Sequence, residues 1–497
     1  MLISPFVESA ASWLVQTANS FGGYNALSLS QCHDVCARFA ERFGPLLRFP
    51  DNDDYIFWDS KQQEAPAACR VQPLYTEDVS YIIRTLVDQN CRFAVKGGGH
   101  SREKDDSNSA GGVTIDLQLM RSVKLSDDQT QVRLGAGHTL YSAYTALEKD
   151  GLTFIGGRVD SVGIGGFTLG GGYSNLSPRY GLAMDNVFEY EVVLANGSIV
   201  TASEQHNKDL YYALRGGGGN NFGIVTHFTT RAIPQGLSWG GSRTYEDNQT
   251  REILSNLHDL TTAHANDTEF AFWGGYSYHP LTDSFGWAVN QAYNLPVEFP
   301  EPFKRLNDVR HQASTLRLDS PSNFSVEVAG DTPWPRRNIF ATITHYPSVE
   351  MQQTLLDIFK EEARQLRKIP GFSARIVTQP LHEASIAAMK LRGGNPISVE
   401  ANGPLTVVLL IGTWQDSEDD AAVYSFGRQW VARARQSAER LAVSHPYLYT
   451  NYALREQDPY AGFAKGSVEK LRGIQKAVDP TGVFTSNGLC RGYFKLR

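Results

Sequence analysis

The 497-residue chain has no uninterrupted apolar stretch near the ~18 residues that a membrane-crossing helix needs; the longest, Leu405 to Ile411, suits a buried strand. A soluble protein with no membrane partner is expected. Positive charge is also scarce, since 46 Lys and Arg stand against 53 Asp and Glu, a net charge of −7. A phosphate backbone is held by surplus positive charge, so no nucleic-acid partner is expected. The first Lys or Arg is Arg38, and Glu8 interrupts the early apolar residues. Met1 to Ser20 therefore lacks the pattern of a standard secretory signal, which leaves both secretion and an intracellular location open. Cysteines number only five, Cys32, Cys36, Cys69, Cys91 and Cys490. An odd, sparse set argues against a disulfide scaffold while allowing one bridge near the N-terminus. Cys32 and Cys36 flank His33, but no second pair stands at zinc-site spacing, so no metal site is expected. The sequons at Asn175, Asn248, Asn266 and Asn323 matter only in a secreted chain.

What remains is an ordinary globular composition, 41% hydrophobic and 20% charged, with one excess: 45 glycines, about 9% against a usual ~7%. From Pro73 to Pro234 helices and strands alternate. Thr76 is placed to cap a helix whose Val79, Ile82, Ile83, Leu86 and Val87 form one apolar stripe. A strand at Phe93 and Val95 follows, then strands around Val113 to Leu117 and Gln131 to Leu134. A helix opens at Thr139 and ends at Gly151. Tyr190 to Leu194, Asn196-Gly197 and Ile199 to Ala202 read as a hairpin. Beyond Gly236 the strand-like segments Phe270 to Tyr278, Ile339 to Tyr346 and Leu405 to Trp414 are separated by amphipathic helices near Met351 to Leu366 and Asp419 to Leu441. A final helix carrying Val468, Leu471 and Val478 must stop before Pro480.

The glycines are concentrated. Eight fall in the seventeen residues from Gly156 to Gly172, and further clusters lie at Gly97 to Gly99 and Gly216 to Gly219. Such density is entropically unfavourable, and it allows bare main chain to approach a ligand and aim successive N–H groups at an anion such as a pyrophosphate. Three such clusters suggest one extended, phosphate-bearing ligand. A dinucleotide fold of the G-x-G-x-x-G kind is disfavoured, because Gly163-x-Gly165 continues into Gly166, Thr168, Leu169 and another glycine triplet without a helical run. The G-x-x-x-x-G-K-[ST] phosphate loop is absent.

Several motifs, in order, now carry a resemblance. AVKGGGHS (Ala94 to Ser101), GGVTIDL (Gly111 to Leu117), GGRVDSVGIGGFTLGGGYSNLSPRYGLAMDNV (Gly156 to Val187) and LYYALRGGGGNNFGIVTHF (Leu210 to Phe228) resemble the FAD-binding domain shared by vanillyl-alcohol oxidase and p-cresol methylhydroxylase, specifically in the fungal berberine bridge enzyme-like oxidases. YTNYA (Tyr449 to Ala453) and DPTGVF (Asp479 to Phe484) are similar to that family's C-terminal return to the flavin. The resemblance implies an α+β fold: an N-terminal segment (1–65), an FAD-binding domain in two parts (66–236, with 451–497 returning to it), and a substrate domain (237–450) with an antiparallel sheet flanked by helices. It implies FAD contacts from Lys96, Gly97, Gly98, Gly99, His100, Ser101, Gly157, Val159, Ser161, Val162, Gly163, Gly165, Gly166, Gly170, Gly171, Tyr173, Gly223, Ile224 and Val225. His100 stands where the family joins the flavin 8α-methyl covalently, which would raise the reduction potential. Val159 stands where doubly linked members have cysteine, so one link is expected. Val162 resembles the oxygen-permissive type. The charged run Arg102-Glu103-Lys104-Asp105-Asp106 departs from the family and is expected to be a solvated surface turn.

The implied chemistry is oxidation of a small organic substrate, a secondary-metabolite alcohol or phenol or a carbohydrate, with hydride passing to flavin N5 and O2 returning hydrogen peroxide. A base must take the substrate proton. By resemblance Tyr452 leads, with Tyr449 beside it; His345, on a predicted strand, is the next candidate, and Trp414 is a candidate pocket wall. The alternatives are a flavin-dependent oxidative cyclase and a redox-silent flavin-binding protein. Oligomeric state is left open.

Overall fold

Val79, Ile82, Ile83 and Leu86 close into one fully buried stripe on the helix Thr76–Asp88. Its capping differs from expectation. Asp78, rather than Thr76, accepts hydrogen bonds from the backbone N–H groups of Leu74 (3.3 Å) and Tyr75 (3.2 Å), while the Thr76 hydroxyl donates to Glu191 at 2.6 Å. The structure is a computed structural model, and it describes residues 26–263, 267–329 and 336–496. Met1 to Ser20 and the Asn266 sequon lie outside the described residues. Among those residues no helix is long and apolar enough to cross a membrane.

The chain is α+β. In the first half, a four-stranded sheet runs Leu47–Arg48, Cys69–Val71, Val113–Asp116, Phe93–Lys96, the last three strands parallel. A five-stranded antiparallel sheet runs Val123–Leu125, Gln131–Gly135, Ile224–Arg231, Val187–Val193, Ile199–Ser203. The hairpin between the last two turns at Gly197, φ +80°. Two disulfides, Cys32–Cys91 and Cys36–Cys69, pin the helix Ala26–Phe43 to the first sheet, where at most one bridge was expected. Cysteines four apart share one helix face, and this face lies on the sheet. Cys490 is free and buried. A short helix, Ile164–Leu169, follows Gly163 directly. Its glycines gave it no helical signature in sequence, which corrects the expectation of no helical run.

The large sheet of the second half is antiparallel, and its six long strands are β1 (Ser238–Glu246), β2 (Phe270–His279), β3 (Ser284–Tyr293), β4 (Arg337–His345), β5 (Ser373–Leu381) and β6 (Leu405–Trp414). Their order is β1-β3-β2-β5-β6-β4. Alternation assigns the faces. Ile376, Val408, Leu410, Ile339, Ala341 and Ile343 pack into one core with Leu355, Phe359, Phe426 and Trp430 of the helices Val349–Gln365 and Asp420–Arg440. Val377, Leu409, Phe340 and Ile411 occupy the opposite face with Trp273. The first half's core also takes in Leu381 to Val407 side chains and the C-terminal Tyr447, Tyr449, Leu471, Val483 and Phe484.

Candidate active site

Between the glycine loops and the second face of the large sheet lies a cavity of about 470 Å³. One wall is main chain. A Cβ on Gly98 would lie 2.2 Å from Gly163 N, and one on Gly163 would lie 2.2 Å from Gly98 N, so the two loops meet backbone to backbone. Gly97, Gly165, Gly166 and Gly219 differ: an added Cβ would meet no protein atom closer than 3.9 Å, and all four line the cavity. The protein leaves open space in front of these four backbones, the cradle that a large ligand approaching the main chain requires.

The structure brings most of the expected ligand-contacting residues to this cavity: Gly97, Gly98, Gly99, His100, Ser101, Val159, Val162, Gly163, Gly165, Gly166, Tyr173, Gly223, Ile224 and Val225 line it, as do Tyr449 and Tyr452. Five lie behind the wall. Lys96 is buried in an ion pair with Asp116 at 2.9 Å. Gly157 is packed by Phe167, and Gly170 and Gly171 by Asn451 and Tyr449. Ser161 shares a hydrogen bond with His100 Nε2 at 3.1 Å. The His100 ring stacks on Trp58, centroids 4.6 Å apart. Burial first, then the Arg102 and Lys96 charges, push its pKa down to about 3, so the imidazole is neutral.

The C-terminal tyrosines have different surroundings. Tyr449 Oη accepts from Gly172 N (3.1 Å) and Asn451 Nδ2 (3.0 Å), and burial raises its pKa. It secures the glycine turn. Tyr452 Oη accepts from Arg158 Nη2 at 2.9 Å. That guanidinium also donates to Gln379 Oε1 at 2.7 Å and lies 5.0 Å from the Trp273 ring centroid. Tyr452 thus joins a cationic group to the apolar sheet face.

Two candidates fall on the other side of the sheet. His345 has the strand parity of Ile339, Ala341 and Ile343, so it points into the helix-covered core, where it hydrogen-bonds Tyr346 O and Gln352 Nε2, both at 2.7 Å. It does not reach the cavity. Trp414 shares parity with Val408 and Leu410, is fully buried, and donates Nε1–H to Asp420 at 2.7 Å. It is core, not pocket wall. The charged run is also no surface turn, since only Lys104 is exposed. Arg102, Glu103 and Asp106 line the cavity. Arg102 donates to Asn451 O and Ala453 O, both at 3.3 Å, and Asp106 pairs with Arg455 at 2.9 Å. Burial pushes the Asp106 pKa up to about 6. The sequence reading missed Trp58, Arg158, Trp273, Phe340 and Arg375 as cavity residues. Strand alternation could have found Trp273 and Phe340.

Residues 67–203 match the FAD binding domain family. Over 96% of its length the chain is 33% identical to the FAD-dependent monooxygenase tpcD of Cochliobolus heterostrophus, covering 97% of that protein. The chain belongs to the FAD-dependent oxidoreductases. It is 31% identical to the bifunctional solanapyrone synthase of Alternaria solani, covering 93% of this chain and 89% of that one. The berberine bridge enzyme-like fold is shared over most of the chain: the TM-score is 0.73 to the BBE-like 1 protein of Physcomitrella patens, at 21% identity over 91% of this chain and 98% of that one. It is 0.74 to 6-hydroxy-D-nicotine oxidase from Arthrobacter nicotinovorans, at 18% identity over 91% and 97%. FAD is the cofactor of this flavoprotein, and the open cradle at Gly97, Gly165, Gly166 and Gly219 fits a dinucleotide held by main chain.

Proposed function

We propose that this enzyme is an oxidase that removes two electrons from an alcohol or phenol of secondary metabolism, with O2 as final acceptor and hydrogen peroxide as product. The observation that carries this reading is the 2.9 Å contact between Arg158 and Tyr452 at the edge of an apolar cavity. Bound FAD supplies the two-electron acceptor and the reaction with oxygen. The chain supplies the rest. Trp273, Val377 and Leu409 hold the substrate on a dry surface. Tyr452 Oη is the proton acceptor for the substrate hydroxyl, and the Arg158 guanidinium donates to that same oxygen at 2.9 Å. His100, neutral and oriented by Ser161 and Trp58, is the residue that would hold the flavin at its 8α-methyl. Val159 provides no second link. The sheet face presents an apolar floor of Trp273, Val377, Leu409, Phe340 and Ile411 beside polar Asn338, Ser373, Arg375 and Thr413, and the apolar floor favours a metabolite with a substantial hydrocarbon face.

A second reading is a flavin-dependent oxidative cyclase; a relative 31% identical to this chain is named a bifunctional synthase. Anaerobic mixing with a panel of phenols, alcohols and sugars tests the first. A substrate that bleaches the flavin, and on aeration yields one peroxide per product with no oxygen atom from 18O2 retained, supports an oxidase. Oxygen retained in the product refutes it in favour of the chemistry in the relatives' monooxygenase names.

A further inference from the structure

Several arginines line the cavity, and three have their partners within the protein. Arg102 donates to two backbone carbonyls, Arg158 to Gln379 and Tyr452, and Arg455 to Asp106. Arg375, on β5, is different, as is Arg336, whose side chain also lines the cavity and bonds no described residue. The Arg375 side chain reaches the cavity and is open to its solvent, yet it makes no hydrogen bond or ion pair with any described residue. The protein around it is dense enough for burial alone to lower its pKa, with no carboxylate acting on it. With Ile411 as its neighbour on β6 and no partner among the described residues, the guanidinium is available to an anionic group of a ligand in the cavity.

Its position along the sheet is informative. Exposure rises along β5 from buried Val377 to exposed Ser373, so Arg375 stands at the rim of the apolar floor. Ser277 opposes it on β2, and Trp273, beside Arg158, lies four residues further along that strand, roughly 13 Å at ~3.3 Å per residue. The rim is therefore cationic, the floor apolar, and the proton-accepting tyrosine lies towards the far end.

We propose that Arg375 anchors an acidic group of the substrate, so that the enzyme takes apolar molecules bearing a carboxylate or acidic enol at one end and oxidises them at the other. This deepens the oxidase reading and rests on it. A charge-assisted, geometrically defined contact discriminates against a neutral isostere by about tenfold to hundredfold.

The test uses flavin-loaded enzyme and two probes of one shape, 2-naphthoate and 2-naphthamide, titrated by perturbation of the flavin absorbance. The wild type should bind the carboxylate about tenfold to hundredfold more tightly, Arg375→Gln should bind both alike, and Arg375→Lys should keep part of the preference. Equal dissociation constants in the wild type overturn the proposal, as does failure of either probe to bind. So does a preference that survives in Arg375→Gln, including the case where that variant instead shifts the unliganded flavin spectrum, which would assign the guanidinium to the cofactor. Each of these outcomes leaves the oxidase reading standing if a substrate still bleaches the wild-type flavin and O2 restores it; absence of that cycle would refute the reading without reference to either probe.

Discussion

Replacing Tyr452 by Phe removes the oxygen that accepts from Arg158 at the edge of the apolar floor, and the size of the effect follows from that contact. A positioned proton acceptor contributes about 10²- to 10⁴-fold to a rate, or about 3 to 5.5 kcal/mol. The Arg158 hydrogen bond at 2.9 Å is charge-assisted, and such a bond is worth about 1.5 to 3 kcal/mol, so Arg158→Met should slow the same step about tenfold to 150-fold. If the arginine acts through the tyrosine oxygen, the two losses cannot add. The double variant should then be no slower than Tyr452→Phe alone, within about 0.5 kcal/mol. The assay is anaerobic stopped-flow bleaching of the flavin at saturating substrate, which separates the chemical step from binding and from reoxidation. Additive losses would refute the coupling, and a Tyr452→Phe rate within threefold of wild type would remove Tyr452 as proton acceptor.

His100→Ala should fold, bind FAD and release it on acid precipitation, whereas colour that stays with the polypeptide would refute the link through His100. Because this imidazole is neutral down to about pH 3, reconstitution of apoprotein should not weaken as pH falls from 8 to 5; a decline centred near the ordinary histidine value of ~6.5 would contradict the burial argument. Gly165→Ala, in the short helix and facing open cavity, should leave thermal stability unchanged or slightly higher and weaken FAD retention; Gly98→Ala, whose Cβ would lie 2.2 Å from Gly163 N, should lower the unfolding midpoint itself. Equal behaviour of the two, read by calorimetry and flavin content, would refute the distinction. Unreduced, denatured protein should show one thiol, Cys490, and five after reduction; with sequence separations of 59 and 33, each bridge is worth at most about 4 kcal/mol by loop entropy. Five thiols before reduction would refute the bridges.

Much of the architecture was legible because periodicity reports burial directly: the Thr76–Asp88 helix, the Asn196-Gly197 hairpin and the long strands of the large sheet each carry their own local signal. The glycine clusters were legible for a different reason, since a residue costly to order must be compensated by what its bare backbone permits. What stayed hidden depended on contacts remote in sequence. His345 and Trp414 are on the expected strands, but which parity faces the cavity is set by the helices covering the other side. The charged run from Arg102 reads as surface until its partners appear, Arg455 being 349 residues beyond Asp106. Arg158 sat unnoticed inside the glycine run because its partners, Gln379 and Tyr452, come from the second sheet and the C-terminal segment. The Cys32 and Cys36 bridges needed the packing of the first helix on the first sheet to be known.

The central claim is that separate lengths of bare main chain converge to hold one flavin dinucleotide. The visible absorbance spectrum of the purified protein, with flavin content per chain, tests it most directly. The account predicts a yellow protein, or an apoprotein that becomes yellow on addition of FAD, with about one flavin per chain; a colourless protein that takes up no FAD would contradict it.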